Sequence, residues 1–262
     1  MSIALRLARI HARDVLRGRW LITYASGLAL LAESFLRFSG SESNAVLGLG
    51  TVTLIAVPLL TLVVATVHLY AARDFIEALL AQPVRRRALF AGLYLGLALP
   101  AAGAFLVGVG VPLAVRGFGD ELRGACATLL VSGVLLTLTF VAIACCVVFM
   151  VEDRLRGLGV ALGVWGLLAV LYDAGVLMFV AMASDWPLEK PLLGLTFANP
   201  IDLARVSLLL RLDTAGLMGY TGAAFQHFFA EWWGAGLALA ALTGWVAIPV
   251  LISARAFNRK DF

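Results

Sequence analysis

A chain of 262 residues with 62% hydrophobic and 14% charged residues and a mean hydropathy of +0.97 lies far outside the range of soluble domains. Its formal charge of +4 would suggest a nucleic-acid partner in a soluble protein, but here the arginines sit beside long apolar runs, so membrane topology explains them and no nucleic acid is implied. Cys126, Cys145 and Cys146 all fall inside apolar runs, which argues against a disulfide framework or a zinc site.

Residues 1–19 carry Arg6, Arg9, Arg13 and Arg17 on one helical face, with Ile3, Leu7, Ile10 and Leu16 beside and behind it. The pattern predicts an interfacial helix lying flat on the cytoplasmic leaflet, with arginines toward lipid headgroups. A cleaved signal peptide is the rival reading, and so long a basic lead disfavours it. The first span follows at about 20–38, with Glu33 and Arg37 as an i,i+4 pair near its outer end. The second covers about 45–70 and contains Pro58 and His68.

Next comes RDFIEALLAQPVRRR, residues 73–87, a charged run between two apolar segments that must emerge on one side of a bilayer. Phe75, Ile76, Leu79 and Leu80 recur at helical spacing, Arg73, Asp74 and Glu77 lie nearer the opposite side, and Pro83 ends the pattern. This predicts a short amphipathic helix across the cytoplasmic mouth, shaped to be gripped by a soluble partner. A solvated loop joining two spans is the plainer alternative.

The third span, about 88–115, holds Pro100, Pro112 and many glycines, so kinks and close packing are expected. An outer turn with Arg116, Asp120, Glu121 and Arg123 leads to a fourth span at about 124–151. Glu152, Asp153, Arg154 and Arg156 form an inner loop before a fifth span at about 158–184. Residues 185–233 make the longest polar excursion, flanked by Trp186, Trp232 and Trp233 as interface anchors. Within it Asn199 reads as an N-cap, Pro200 as the first helical residue and Asp202 as an acid near the helix dipole, opening the amphipathic stretch IDLARVSLLLR. One or two helices lying on, or dipping into, the outer surface are expected. A sixth span, about 234–254, ends in the basic tail ARAFNRKDF. Fourteen of the 20 Lys and Arg then fall at the two termini, in the segment from Arg73 and in the inner loop, which predicts six spans with both termini cytoplasmic.

Most chemistry is excluded. A Walker phosphate loop needs a lysine directly after its final glycine, whereas Lys190 follows Glu189 and Lys260 follows Arg259. His11, His68 and His227 are isolated and form no HExxH, and no serine nucleophile elbow is present. Asp173, near the middle of the fifth span, stands out, because an intramembrane acid costs roughly 2.5–3.5 kcal/mol on insertion scales. It needs either a hydrogen bond to Tyr or Ser on a neighbouring helix or to its copy across a dimer, or a polar transport path. Met178 and Met182, one turn apart, could offer thioethers to Cu(I), although packing is the commoner use of methionine.

Six spans, an N-terminal interfacial helix, the segment RDFIEALLAQPVRRRALFAGLYLGLAL and the ending FNRKDF resemble the permease subunits of type-2 ABC exporters. WGLLAVLYD and NPIDLARVSLL resemble the NosY group within that family, the permeases linked to copper-enzyme maturation in nitrous-oxide reductase assembly. The resemblance implies an all-α integral membrane protein with one transmembrane permease domain in the bacterial inner membrane. It places the ATPase-coupling helix on Arg73, Asp74, Phe75, Ile76, Glu77, Leu79, Leu80, Gln82 and Pro83, although Phe75, Ile76 and Ala78 stand where the family is usually richer in Glu and Gly. It implies two copies of the chain with two copies of a separate ABC ATPase, which carries the ATP and Mg, and no cofactor on this chain. It also implies a periplasmic solenoid or copper-handling protein seated on a platform around Asn199, Pro200, Asp202, Arg205 and Arg211. The rival readings are a type-2 exporter of a lipid, peptide or drug, and a membrane scaffold or enzyme that works without an ATPase.

Overall fold

The computed structural model describes residues 18–80, 85–182, 189–212 and 232–259, and among them every regular element is helical. In chain order these are α1 (Arg19–Phe38), α2 (Glu42–Ala71), α3 (Arg73–Leu80), α4 (Arg86–Arg116), α5 (Asp120–Met150), α6 (Arg154–Met182), α7 (Glu189–Phe197), α8 (Pro200–Arg211) and α9 (Trp232–Arg259). Six of them, α1, α2, α4, α5, α6 and α9, are long and apolar enough to cross a membrane. The interfacial helix expected over 1–19 falls almost wholly outside the described residues, as do Gln82, Pro83 and Trp186.

α5 is apolar all round, and a helix without a polar face belongs inside. Accordingly 67% of its apolar stretch is buried, with α2 and α9 packed along it, whereas only 6% of the apolar stretch of α6 is buried. Small residues let the helices close up. At Gly108 in α4, an added Cβ would lie 2.7 Å from the Ala25 carbonyl oxygen of α1, so only glycine permits that approach. α4 carries a π-helical turn at Leu106–Gly110 that runs into Pro112, whose ring and missing N–H interrupt the helical ladder. Glu33 and Arg37 form the predicted pair at 3.0 Å on the exposed side of α1.

α9 continues through the tail to Arg259, beyond the residue-254 boundary read from hydropathy. Phe257 explains the extension. It is fully buried, with ring centroids 4.9 Å from Phe149 and 6.0 Å from Phe90, so this aromatic cluster joins the ends of α4, α5 and α9.

α7 and α8 are bent by 113° about the turn at Ala198–Asn199. The depth of that turn follows from its partners. Asn199 Nδ2 donates to the Leu168 carbonyl at 2.7 Å, and Leu168 is the midpoint of α6. Trp245 Nε1, midway along α9, donates to the Phe197 carbonyl at 3.1 Å. The pair is therefore re-entrant, with its turn at half the depth of the bundle, and the sequence expectation of helices on or dipping into the surface resolves as the second.

Candidate functional site

Two polar constellations stand out. The first surrounds α3, which is separated from α2 by the single residue Ala72. Its azimuth is set by Ile76, 1% exposed and seated in the core of the bundle, with Leu79 and Leu80 partly buried beside it. That orientation leaves Asp74, Phe75 and Glu77 on the outer side, Phe75 being 49% exposed. Arg73 anchors the element. Its Nε lies 3.3 Å from Glu77 Oε1, and one terminal nitrogen donates to the Glu152 carbonyl at 2.9 Å while the other lies 3.9 Å from that residue's carboxylate. The loop between α5 and α6 is held a second time by the Tyr70 hydroxyl, which donates to the Val151 carbonyl at 2.9 Å. Asp153 of that loop caps α6 by accepting from the Arg156 N–H at 2.7 Å. Gly157 gives the Tyr70 ring its room, since any Cβ there would overlap the ring. Arg86, at the start of α4, donates to the Asn258 carbonyl of α9 at 3.1 Å. α3 is thus tied directly to α2 and to the α5–α6 loop.

The second constellation ties α8 to α6. Asn199 caps α8, accepting from the Ile201 N–H at 3.0 Å, and Pro200 occupies the first turn, where its missing N–H costs nothing. The same Asn199 side chain satisfies Leu168, whose carbonyl lies in a π-helical turn at Leu167–Leu171. Arg205 then reaches across, placing one terminal nitrogen 2.6 Å from Asp173 Oδ2 and 3.3 Å from Asp202 Oδ1. All three side chains are half-buried, and two carboxylates share one guanidinium. The pairing offsets the penalty of the intramembrane acid. Asp173 thus finds a cation on the re-entrant helix instead of the hydroxyl or second copy expected from the sequence. Tyr172 and Trp165 complete the attachment of α6, donating to the Leu195 carbonyl at 2.6 Å and the Ile55 carbonyl at 3.2 Å. Met178 and Met182 face outward.

A family model described as "ABC-2 family transporter protein" matches residues 71–262, which include α3 and every element after it. The chain belongs to the ABC-2 transporter family. Two relatives match it along nearly their whole length. A probable ABC transporter permease protein NosY of Pseudomonas aeruginosa is 27% identical over 266 residues, covering 92% of this chain and 97% of the relative. The protein of the same name from Stutzerimonas stutzeri is 28% identical over 283 residues, covering 99% of each. The chain is a NosY-like type-2 ABC permease and a multi-pass membrane protein.

Within this ABC-2 permease the residues read as a surface platform sit elsewhere. Asn199 and Pro200 are buried, Asp202 and Arg205 are engaged with each other and with α6, and only Arg211 is exposed. The reason is the apolar side of α8, where Ile201, Leu203, Ala204 and Leu208 are at most 2% exposed and draw the helix among α2, α5 and α9. Tyr70, Val151 and Arg86 escaped the sequence reading. A tyrosine ending an apolar run beside a charged loop was the available signal for the first, whereas backbone-carbonyl partners leave no trace in sequence.

Proposed function

We propose that this chain is the membrane-spanning subunit of an ABC transporter complex that converts ATP hydrolysis by a separate subunit into movement of its own spans, in periplasmic copper-enzyme maturation. The observation that carries the reading is α3. It is a short amphipathic helix directly after the second span, held to its own chain by Ile76 and Arg73, and it presents Phe75, Asp74 and Glu77 outward. A helix fixed on one side and presented on the other suits a groove in a soluble partner. On this reading ATP and Mg belong to that partner, a reading supported by the lack of a phosphate-binding lysine in the sequence, and the α3 end is cytoplasmic by the positive-inside bias. Membership of the ABC-2 family supports pairing with an ABC ATPase and with a second copy of the chain. The copper-maturation role rests on resemblance to the NosY group, and its periplasmic partner would meet the end of α8 that carries Arg211.

The chain purified from its host membranes should carry an ATP-hydrolysing subunit in a two-to-two complex. A functional monomer without one sinks the reading. For orientation, a membrane-impermeant thiol reagent added outside should label Arg116→Cys but not Arg87→Cys, which lie near opposite ends of α4.

A further inference from the structure

Unpaired arginines gather where α4 begins and α9 ends. Arg86 donates to the Asn258 carbonyl at 3.1 Å, and Phe257, packed against Phe90 and Phe149, holds the two helix ends together. That bond brings Arg85 and Arg87 next to the turn of α9 that carries Arg255 and Arg259, although 172 residues separate its partners. Arg85, Arg87, Arg255 and Arg259 are all exposed, and among the described residues none has a carboxylate within ion-pair distance. Residues 85–90 and 250–259 contain no acid at all. The flanking sequence does not restore the balance: 81–84 carries no charge, 260–262 one lysine and one aspartate, and 1–17 four arginines against one aspartate. Cations gathered without counter-charge reinforce one another's field and attract an anion.

The helical face that bears two of these arginines identifies the anion. Ile248, Ile252, Arg255 and Arg259 follow one another at spacings of four, three and four, so they share one face of α9. Ile248 and Ile252 are exposed, whereas Ser253 and Phe257 on the opposite face are fully buried. The shared face therefore points away from the bundle, apolar along the span and cationic at its end. Ile248 and Arg255 are about 10 Å apart along the helix, so both parts fit within one leaflet, about 15 Å deep. A soluble partner can reach the arginines but not the apolar side of a membrane span. A second copy inserted in the same orientation would set its own arginines at the same depth, like charge against like. A phospholipid meets both parts, with its acyl chains along Ile248 and Ile252 and its phosphate on guanidiniums that donate to oxygens in pairs. Four cations without an acid favour a headgroup of net negative charge over a zwitterion. We propose that the junction of α4 and α9 binds the phosphate of an anionic phospholipid in the leaflet at that end of the bundle.

The test is native mass spectrometry of the purified complex, titrated with phosphatidylglycerol or with phosphatidylethanolamine of the same acyl chains. Phosphatidylglycerol should bind the more tightly. Arg255→Gln and Arg259→Gln should each weaken its binding by about fivefold, the contribution of one arginine near an anionic surface, and leave phosphatidylethanolamine unchanged. Arg255→Lys keeps the charge and should retain most of the binding, which guards against a glutamine variant that fails to fold. Arg116→Gln, at the other end of α4, should have no effect. Inorganic phosphate, which has no chains to lie along α9, should not displace the lipid, and displacement would mean a site for soluble anions and overturn the proposal. Equal affinity for the two lipids would overturn it, as would phosphatidylglycerol binding unchanged in both glutamine variants. Release of a protein subunit by these variants would assign the arginines to a protein interface and overturn it equally.

Discussion

Arg205 carries an unusual share of the molecule's internal electrostatics, because one guanidinium balances two carboxylates from different helices. Removing the cation and removing one acid are therefore unequal changes. Arg205→Met leaves Asp173 and Asp202 facing each other without a counter-charge. Breaking a buried ion pair costs about 3–5 kcal/mol, and less is expected here because these side chains are 17–31% exposed. Asp173→Asn keeps an acceptor for the Arg205 N–H and leaves Asp202 as the counter-ion. Thermal unfolding in nanodiscs should show a clear loss for Arg205→Met and a minor one for Asp173→Asn. Equal losses would mean that the cluster acts by volume alone.

α8 owes its place to one side chain at its start. Asn199→Ala removes the cap from Ile201, worth about 1 kcal/mol, and takes away the side-chain donor to the Leu168 carbonyl, a hydrogen bond contributing about 0.5–1.5 kcal/mol. Hydrogen exchange should rise selectively along Pro200–Arg211, and unchanged protection there would remove Asn199 as the anchor. The cap itself was legible, since Asn-Pro before an amphipathic run is a local signal. The depth of the helix was not. Asp202, Arg205 and Arg211 look like surface charges until Asp173, 32 residues from Arg205, is known to face one of them. The six spans were legible for the opposite reason, because an apolar run long enough to cross a bilayer needs no partner to declare itself. Between these cases lies α3. Its eight residues put both Phe75 and Ile76 on an apolar side, and only the neighbouring spans decide that Ile76 turns inward and Phe75 outward.

At the scale of the molecule, the bundle is closed around α5 and open along α6, where the apolar surface must meet lipid or a second copy. The α3 end gathers α2, the α5–α6 loop, the start of α4 and the end of α9 into one hydrogen-bonded and aromatic assembly. The re-entrant pair is clamped to α6 from its middle outward by Asn199, Tyr172 and Arg205. Under the proposed function, α6 would carry movement of α3 to α7 and α8, because it leaves the loop that Arg73 grips and then bears these clamps. The most direct test of this coupling is ATPase co-purification and ATP hydrolysis measured in the same membranes for Phe75→Ala and Glu77→Lys. Phe75→Ala removes the outward apolar anchor, and Glu77→Lys sets a second cation against Arg73 and reverses the charge offered to the partner. Both variants should insert and fold normally, while Phe75→Ala weakens and Glu77→Lys abolishes retention of the ATPase. Full retention and unchanged hydrolysis in both would contradict the assignment of α3 as the coupling helix.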